Sequence, residues 1–427
     1  RLRRTSGPDR TEAGLVMTQR ILIVGAGQAG MQIADTLREE GFEGEITMVG
    51  DESVPPYQRP PLSKAYLYGE ADEESLQFRN QKFYDDNRIT LVLGDAVVAI
   101  ETTDAGGVAT TASGKTIAFD KMALAPGSTP RRLTIEGSDL DGVLYMRSLA
   151  DAQALKAHWE GAQNVVVIGG GFIGLEVAAV ASKSGKAVTV LEGADRMMAR
   201  AVCPITSAYF KDAHERRGAN IILNARIAGF NGAAGKVAGV RLEDGTVVPA
   251  DIVMVGIGVL ARTEVANLLG LELENGAIAV DEFAQTSHPL VVAAGDAVML
   301  PNPTGAEGRV RLESVQNAVD QAKTAAKTLL GRNEPYRALP WFWSDQADLK
   351  LQIAGLSTGY DQTVVRGNPE QDAFSVLYYK NGRLLAIDAV NQVSDFMAAR
   401  RCLTNGGTID AAAAADSSVA LKTLISA

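Results

Sequence analysis

The segment RILIVGAGQAG, residues 20–30, is a short apolar run that passes directly into a glycine-rich turn. The turn matches the pattern GxGxxG, whose glycines permit a tight turn, close approach of a pyrophosphate and close packing of the strand on a helix. These glycines are Gly25, Gly27 and Gly30. A helical pattern over residues 31–41 and a strand pattern over residues 45–52 follow, and Asp51 lies about 20 residues beyond the turn, where an acid binds a ribose. The segment therefore predicts a βαβ unit that binds a dinucleotide.

A second copy of this pattern lies in the middle of the chain. The segment NVVVIGGGFIG, residues 164–174, again runs from a strand pattern into GxGxxG, and a helical pattern and a strand pattern follow. Its glycines are Gly169, Gly171 and Gly174. A carboxylate at Glu192 would hydrogen-bond ribose hydroxyls and repel a 2′-phosphate, which favours NADH over NADPH. Arg196 and Arg200 follow closely, and an arginine there could instead accept the phosphate.

Composition limits the class of protein. The 427 residues are 46% hydrophobic and 22% charged, as in a globular protein of about three domains. A formal net charge of −10 argues against nucleic-acid binding but permits a local basic patch that docks an acidic protein. No apolar run reaches the length of about 18 residues that spans a bilayer, so no membrane interaction is expected. Residues 1–16 are expected to be a disordered tail or a tag.

Cysteine and histidine are sparse. Cys203 and Cys402 lie far apart, so a disulfide framework is not expected and the cytoplasm is the natural compartment. A dithiol relay would need a CxxC pair, and an iron–sulfur cluster would need four thiolates, so neither is expected. The three histidines show no metal-ligand spacing, which predicts no metal site.

Glu176 stands in the apolar run LEVAAVA, which predicts a buried carboxylate that needs a cationic partner. Lys64, in the proline-fixed segment YQRPPLSKAYL, is a candidate partner. The alternatives are a solvent-facing helix position for Glu176 and a solvated surface charge for Lys64. Asp296 follows an apolar strand pattern, at a sheet edge where ligands bind, although Gly295-Asp296 is also typical of an ordinary turn.

The chain changes character from about Asn333. This part carries PYRALPWFWSDQ and a predicted β-hairpin across Asn381-Gly382, and it lacks a glycine fingerprint. It predicts a smaller α+β domain.

Together these pieces resemble the putidaredoxin reductase-like family, the NADH-dependent, FAD-containing ferredoxin reductases of bacterial oxygenase systems. The resemblance extends from about Arg20 to Cys402 and rests on the two glycine loops in order and on the strings PPLSKAYL, IGGGFIGLEVA, AAGDA, VRLESVQNA and PWFWSDQ. It implies an α/β fold with two Rossmann-like domains, the NADH domain inserted in the FAD domain, and a smaller α+β C-terminal domain. The implied ranges are 17–130 with 256–332 for FAD, 131–255 for NADH and 333–427 for the C-terminal domain.

The resemblance also implies roles for single residues. FAD would bind the first loop and Asp51, and NADH the second loop and Glu192. The positions that match residues lining the flavin are Arg59, Lys64 and Arg131. Asp296 matches an aspartate that binds the ribityl chain of FAD. The candidate catalytic residues are Lys64 and Glu176, which would pair beside the flavin, and Trp343, near the isoalloxazine ring.

Three positions depart from the family pattern. Ala125-Pro126-Gly127 replaces Ala-Thr-Gly, Ala261-Arg262 stands where Pro-Asn is usual, and Gln316 replaces a proline. These departures bear on loop geometry and nicotinamide placement.

The resemblance favours an electron-transfer reductase in which NADH reduces FAD and a [2Fe–2S] ferredoxin takes single electrons to a P450 or Rieske oxygenase. A redox-sensing interaction protein and an NADH oxidase or peroxidase are the alternatives, the last being disfavoured because no cysteine precedes Cys203. Ferredoxins of such systems are generally acidic. Candidate docking cations are Arg309, Arg311, Arg337 and Lys350, unless they form an ordinary solvated surface.

Overall fold

The computed structural model describes residues 19–426, and the expected tail, residues 1–16, lies outside them. The first glycine loop, residues 25–30, belongs to a five-stranded parallel sheet. Its strands in spatial order are Val291–Ala293, Lys121–Leu124, Arg20–Val24, Glu45–Val49 and Ile89–Val92. Helices Gln28–Glu39 and Val315–Leu329 pack together against this sheet around buried residues such as Ile33.

The helix after the first loop begins at Gln28, earlier than the apolar periodicity predicts. Gly25 has a φ of +119°, so the chain turns directly after the strand. Gly27 is then the extended N-cap residue, with a φ of −108°. Because the loop glycines carry no apolar side chain, periodicity could not place them in the helix.

The second glycine loop, residues 169–174, belongs to another five-stranded parallel sheet. Its strands in spatial order are Ala219–Ile222, Ala187–Leu191, Asn164–Ile168, Ile252–Val255 and Val143–Leu144. The helices of this part are Leu149–Trp159, Phe172–Lys183 and Pro204–Arg216. The predicted duplication of the βαβ design is therefore present.

The chain passes between the two parallel sheets twice. The two passages pair with each other as an antiparallel ladder of Ser128–Pro130 with Val259–Ala261. The strand Val291–Ala293 then returns to the first sheet, which is thus built from two separated parts of the chain. This is the topology of one nucleotide-binding unit inserted into another.

Smaller elements complete these two parts. Antiparallel sheets contain the strands Val97–Thr103, Gly106–Thr111 and Thr116–Phe119, and Ile227–Ala233, Lys236–Leu242 and Val247–Pro249. A mixed sheet contains Leu273–Glu274, Ala277–Ala279, Val298–Pro301 and Arg309–Val310. The short helices are Pro60–Ser63, Ala65–Tyr68, Glu73–Leu76, Gln81–Asp86 and Glu264–Leu268.

The C-terminal part is a five-stranded antiparallel sheet with helix Val393–Thr404 packed on it. Its strands in spatial order are Trp341–Gln346, Leu349–Gly355, Arg383–Val390, Ala373–Lys380 and Gln362–Asn368. The remaining elements are Pro369–Gln371, Thr408–Ile409, Ala411–Ala414, Leu421–Leu424 and Ile425–Ser426. The hairpin at Asn381-Gly382 is confirmed, and both residues have positive φ, 49° and 74°, as a two-residue turn of this type needs.

Helix Pro204–Arg216 ties the second nucleotide-binding part to the C-terminal sheet along its whole length. Thr206 donates to Asp388 at 2.8 Å, Tyr209 donates to Asp372 at 2.7 Å, and the His214 ring contacts Gln346 at 2.8 Å. These parts therefore pack as a connected unit. No helix within residues 19–426 has both the length and the apolar composition that crossing a membrane requires.

Candidate active site

A cavity of about 830 Å³ opens at the carboxyl edge of the first parallel sheet, a size suited to a cofactor-sized ligand. The residues that directly follow four of its five strands line the cavity, namely Gly25, Gly50, Ala125 and Ala294. Ligands bind at this edge in open α/β sheets. The segment at residues 59–64, the first turn of helix Phe172–Lys183 and strand Trp341–Gln346 supply further walls, so all three parts of the molecule meet here.

The first glycine loop fits a pyrophosphate. A Cβ atom at Gly25 would lie 2.0 Å from the carbonyl oxygen of Ala125, and one at Gly30 would lie 1.9 Å from that of Gly25, so both positions need glycine for chain packing. A Cβ atom at Gly27 would meet no described atom within 4 Å, because Gly27 faces the cavity. No described side chain caps the helix that starts here, so its backbone N–H groups can bind phosphate.

Asp51 lies at the mouth of the cavity, as expected for a residue that binds a ribose. Its carboxylate accepts from Nη1 of Arg262 at 2.7 Å, and its side chain is 46% exposed. Sequence reasoning missed this contact, because Arg262 lies on the far side of the inserted unit in the chain. Arg262 thus places a cation at the expected ribose end of the site.

Arg59 is fixed by an acidic partner in the cavity wall. Its guanidinium pairs with Glu52 at 2.5 Å, and the hydroxyl of Tyr57 donates to the same carboxylate at 2.6 Å. Burial raises the pKa of Tyr57 above its ordinary value, so the phenol stays protonated. These contacts hold Arg59 at the cavity.

Asp296 also lines the cavity, as expected. It accepts from Nη2 of Arg147 at 2.9 Å and from Oγ of Ser128 at 3.0 Å. Glu313 lies nearby on the wall, and burial, partly offset by Arg311, raises the pKa of its carboxyl. Sequence reasoning did not identify Arg147, because no recognisable cofactor-binding motif surrounds it in the chain.

Arg131 is the exception among the expected flavin-lining residues. Its side chain is exposed, and only its backbone N–H makes a described contact, to the carbonyl of Gly258 at 2.9 Å. The neighbour Arg132 lines the cavity instead. Adjacent side chains of an extended chain point to opposite sides, so a shift of one residue moves the guanidinium off the wall.

Lys64 and Glu176 meet in the cavity wall. The Nζ atom of Lys64 lies 2.8 Å from Oε2 of Glu176, with the side chains 20% and 5% exposed. The predicted ion pair is therefore present, and the alternative of a solvent-facing Glu176 is wrong. Two further donors reach this carboxylate, namely Ser63 and Ser344, each at 2.7 Å.

Aromatic side chains of the C-terminal sheet form part of the cavity wall. Phe342 and Trp343 both line the cavity, and the Phe342 ring lies 4.5 Å from that of Phe172. Trp343 is only partly buried and lies 5.6 Å from the ring of Trp341. Trp343 thus lies between the cavity and the protein surface.

The second glycine loop has the same construction as the first. A Cβ atom at Gly169 would lie 2.4 Å from the carbonyl oxygen of Gly256, and one at Gly174 would lie 2.3 Å from that of Gly169. Gly171 faces open space, and no described side chain caps the helix that follows. The glycines of this loop lie outside the cavity lining, but the helix that begins in it carries Phe172, Ile173 and Glu176 to the cavity.

Glu192 is anchored by the backbone beside the second loop. Its carboxylate accepts from the N–H of Gly170 at 2.6 Å and from that of Ala194 at 2.7 Å. The nearby Arg196 donates to the carbonyls of Ala199 at 2.6 Å and Val202 at 2.7 Å. Arg196 is therefore occupied within its own loop, which weakens the alternative of a phosphate-binding arginine there; Arg200 is exposed.

The sequence profile of pyridine nucleotide-disulphide oxidoreductases matches residues 19–322. This chain belongs to that family. A profile for the reductase C-terminal domain matches residues 341–425. FAD and NAD(H), the cofactors expected from the two loops, are those of this oxidoreductase family.

Individual members of the family match the chain over nearly its whole length. It is 46% identical over 405 residues to rhodocoxin reductase of Rhodococcus erythropolis, which covers 95% of this chain and 94% of the relative. The ferredoxin reductase for the CYP199A2 system of Rhodopseudomonas palustris has a TM-score of 0.92 and 41% identity, covering 96% of this chain and 100% of that one. Putidaredoxin reductase in a covalent complex with putidaredoxin has a TM-score of 0.91 and 38% identity, covering 95% and 98%. The predicted family and the predicted fold class are confirmed.

The departures from the family pattern have contacts of their own. Pro126 lines the cavity, and Arg262 pairs with Asp51. Gln316 is buried, and its Oε1 accepts from the backbone N–H of Trp341 at 3.1 Å. Gln316 therefore links helix Val315–Leu329 to the aromatic strand, a bond that a proline at this position could not make.

Two of the candidate docking cations have partners within the protein. Arg309 pairs with Glu274 at 3.0 Å and donates to the backbone carbonyl of Met299 at 2.9 Å, and Arg311 pairs with Glu313. Both guanidinium groups serve internal contacts, so little of their charge is presented to a partner. Arg337 and Lys350 are exposed.

Proposed function

We propose that this oxidoreductase is an NADH-dependent ferredoxin reductase that supplies electrons to a [2Fe–2S] ferredoxin serving a P450 or Rieske oxygenase. The main support is that helix Phe172–Lys183 begins at the second glycine loop and presents Glu176 to the cavity beside the first glycine loop. A nicotinamide bound through that helix would face the flavin cavity. The partner is inferred from relatives named for ferredoxin reduction and from the complex of putidaredoxin reductase with putidaredoxin.

FAD, when bound, supplies the ability to take two electrons as hydride and to release them singly. The chain's residues arrange the site for it. The first loop and Asp51 would bind the pyrophosphate and ribose, while Asp296 and Arg59 would fix the remainder within the cavity. Lys64 would place a cation where negative charge develops on reduction, and preorganised charge of this kind is a large catalytic term.

The second loop and Glu192 would bind NADH, with the carboxylate disfavouring a 2′-phosphate. Trp343 would cover the flavin side of the cavity near the surface through which electrons leave. Cys203 and Cys402 are buried free thiols, and neither lines the cavity. This placement disfavours an oxidase or peroxidase that uses a redox cysteine.

The same proposal includes the division of the chain. Residues 17–130 and 256–332 would form the FAD domain, residues 131–255 the NADH domain and residues 333–427 the C-terminal domain. The ladder of Ser128–Pro130 with Val259–Ala261 lies where the proposed boundaries meet. We place the protein in the cytoplasm, since it has only two cysteines and needs NADH.

The test is NADH-driven reduction of cytochrome c with and without a [2Fe–2S] ferredoxin of an oxygenase system. Strong stimulation by the ferredoxin is expected. Failure with several such ferredoxins, together with a reduced flavin that air oxidises slowly, would replace the proposal with a redox-sensing interaction protein.

A further inference from the structure

The buried carboxylate of Glu176 is held by all three parts of the molecule. Glu176 lies on the helix of the second nucleotide-binding part, while Ser63 and Lys64 contact it from the first. Ser344, which is fully buried in the C-terminal sheet, donates to Oε1 of the same carboxylate at 2.7 Å. Each carboxylate oxygen thus has its own serine donor, and Lys64 shares Oε2 with Ser63.

The alternation of strand Trp341–Gln346 explains how Ser344 reaches this position. Successive strand residues point to opposite faces, so Phe342, Ser344 and Gln346 share one face. Phe342 contacts Phe172, and Ser344 contacts Glu176 one helical turn further along. The face therefore runs along helix Phe172–Lys183 from Phe172 to Glu176.

Ser344 is itself held by hydrogen bonds that continue to Gln346 and His214. The side-chain Nε2 of Gln346 donates to Oγ of Ser344 at 3.2 Å, and Oε1 of Gln346 lies 2.8 Å from Nε2 of His214. Gln346 and His214 are both buried, and burial lowers the pKa of His214. A neutral ring with its proton on Nε2 donates to Gln346, so every donor in the series points toward Glu176.

We propose that Ser344, oriented by Gln346 and His214, is a positioning residue that directs the Glu176 carboxylate toward Lys64. The C-terminal strand thereby becomes part of the hydride-transfer site rather than only a cover for it. The inference rests on the proposed function for the role of Lys64. A hydrogen bond to a charged group contributes enough for its loss to change a rate about tenfold.

The matched control is Ser375, which is also fully buried in the C-terminal sheet and also donates to a carboxylate, that of Asp395 at 3.2 Å. Ser375 does not line the cavity. Ser344→Ala and Ser375→Ala therefore remove the same type of contact from one sheet, and only the first touches Glu176. Ser344→Thr keeps the hydroxyl and serves as the rescue variant.

The first measurement is the rate of flavin reduction by NADH without ferredoxin, followed by stopped-flow absorbance. We expect Ser344→Ala to slow reduction about tenfold with little change in the NADH concentration needed for half-saturation, and Ser344→Thr to restore much of the rate. Ser375→Ala should reduce like the wild type. In the Glu176→Ala background, Ser344→Ala should have no further effect, because its acceptor is gone.

The second measurement does not depend on turnover. Acetylation of Lys64 by a limiting amount of acetic anhydride, read by peptide mass spectrometry, reports how firmly its ammonium is held. Ser344→Ala should raise labelling of Lys64 several-fold relative to Lys82, an exposed lysine, and Ser375→Ala should not. Equal reduction rates and equal labelling in the two alanine variants would overturn the proposal. A missing response to ferredoxin would instead count against the proposed function alone.

Discussion

The Nζ atom of Lys64 lies 2.8 Å from Oε2 of Glu176, although the two residues belong to different nucleotide-binding units. The carboxylate is buried, and the lysine reaches it from the segment after a short proline-containing helix. A buried ion pair contributes little net stability, but removing one partner is costly. The relative position of the two units therefore determines whether the carboxylate at the cavity wall has its cationic partner.

The first prediction concerns this pair. Lys64→Ala should slow flavin reduction by NADH and lower the apparent Tm, with a stability cost of about 1–3 kcal/mol, because a buried carboxylate loses its cation. Glu176→Ala should affect the same step, and the double variant should be non-additive in stopped-flow reduction. Lys82→Ala is the control, since it breaks a highly exposed pair with Asp86. Strictly additive effects would contradict a shared role.

The second prediction concerns the first glycine loop. The wild type should release FAD, not FMN, on denaturation, at about one equivalent per chain. Gly27→Ala should fold but bind FAD at least about tenfold more weakly, because its methyl group would enter the cavity where a pyrophosphate meets the backbone. Gly30→Ala should lose folded protein, since its Cβ would clash with Gly25. Titration of the apoprotein with FAD, followed by flavin fluorescence, measures the affinity.

Gly161→Ala is the control for the loop variants. Its added Cβ meets no described atom within 4 Å, and Gly161 lies outside the cavity lining. Unchanged FAD affinity in Gly27→Ala would show that the cofactor does not bind as inferred.

The third prediction concerns the choice of nicotinamide cofactor. The wild type should have a higher kcat/KM with NADH than with NADPH. Glu192→Ala should lower the ratio of these two kcat/KM values about tenfold. Because Glu192 also accepts two backbone N–H groups, Glu192→Gln separates charge from loop geometry. The glutamine variant should also lower the ratio of kcat/KM with NADH to that with NADPH, but it should lose less activity with NADH than the alanine variant. A wild-type preference for NADPH would make the assigned role of Glu192 wrong.

The sequence predicts this site unevenly, for physical reasons. Glycine loops and an isolated charge in an apolar helix constrain local structure strongly, so Gly27 and Glu176 could be recognised. Ser344 and Gln346 have no such signature, because their partners are set by how the C-terminal sheet packs on distant helices. Arg309 shows a related limit, since the sequence does not reveal that its guanidinium pairs with Glu274 and donates to the backbone carbonyl of Met299.

The fourth prediction concerns a buried acid between helix Pro204–Arg216 and the C-terminal sheet. Asp388 accepts from Thr206 and Tyr378, and burial raises its pKa to about 7. The unfolded chain releases this proton near pH 4, so between about pH 4 and 7 the folded state binds more protons and stability falls as pH rises. Thermal melts of the wild type should show this decline, and Asp388→Asn should flatten it.

The control for this variant is Asp395→Asn, in the same domain. Asp395 is buried but pairs with Arg366 at 3.0 Å, so its replacement leaves a buried cation without its partner. We expect that variant to lower the apparent Tm at both pH 5 and pH 8. An unchanged pH slope in Asp388→Asn would assign the decline to other groups.

The last prediction concerns where the electrons leave. The protein carries a net charge of −10, so an acidic ferredoxin can approach productively only through a local cationic surface. Of the four cations expected from the sequence, Arg309 and Arg311 are occupied by internal contacts, while Arg337 and Lys350 are exposed. Arg337→Gln and Lys350→Gln should therefore raise the KM for ferredoxin a few-fold and weaken its dependence on salt.

The assay is NADH-driven cytochrome c reduction through ferredoxin, measured over a series of NaCl concentrations. NADH-driven ferricyanide reduction serves as the internal control, because a small acceptor does not need the docking surface. Lys82→Gln, an exposed cation neutralised by Asp86, should match the wild type in both assays. If the Arg337 and Lys350 variants keep the wild-type KM and salt slope, docking does not use these cations. Because electrostatic steering acts on association, an effect on the ferricyanide rate would instead indicate damage to the site itself.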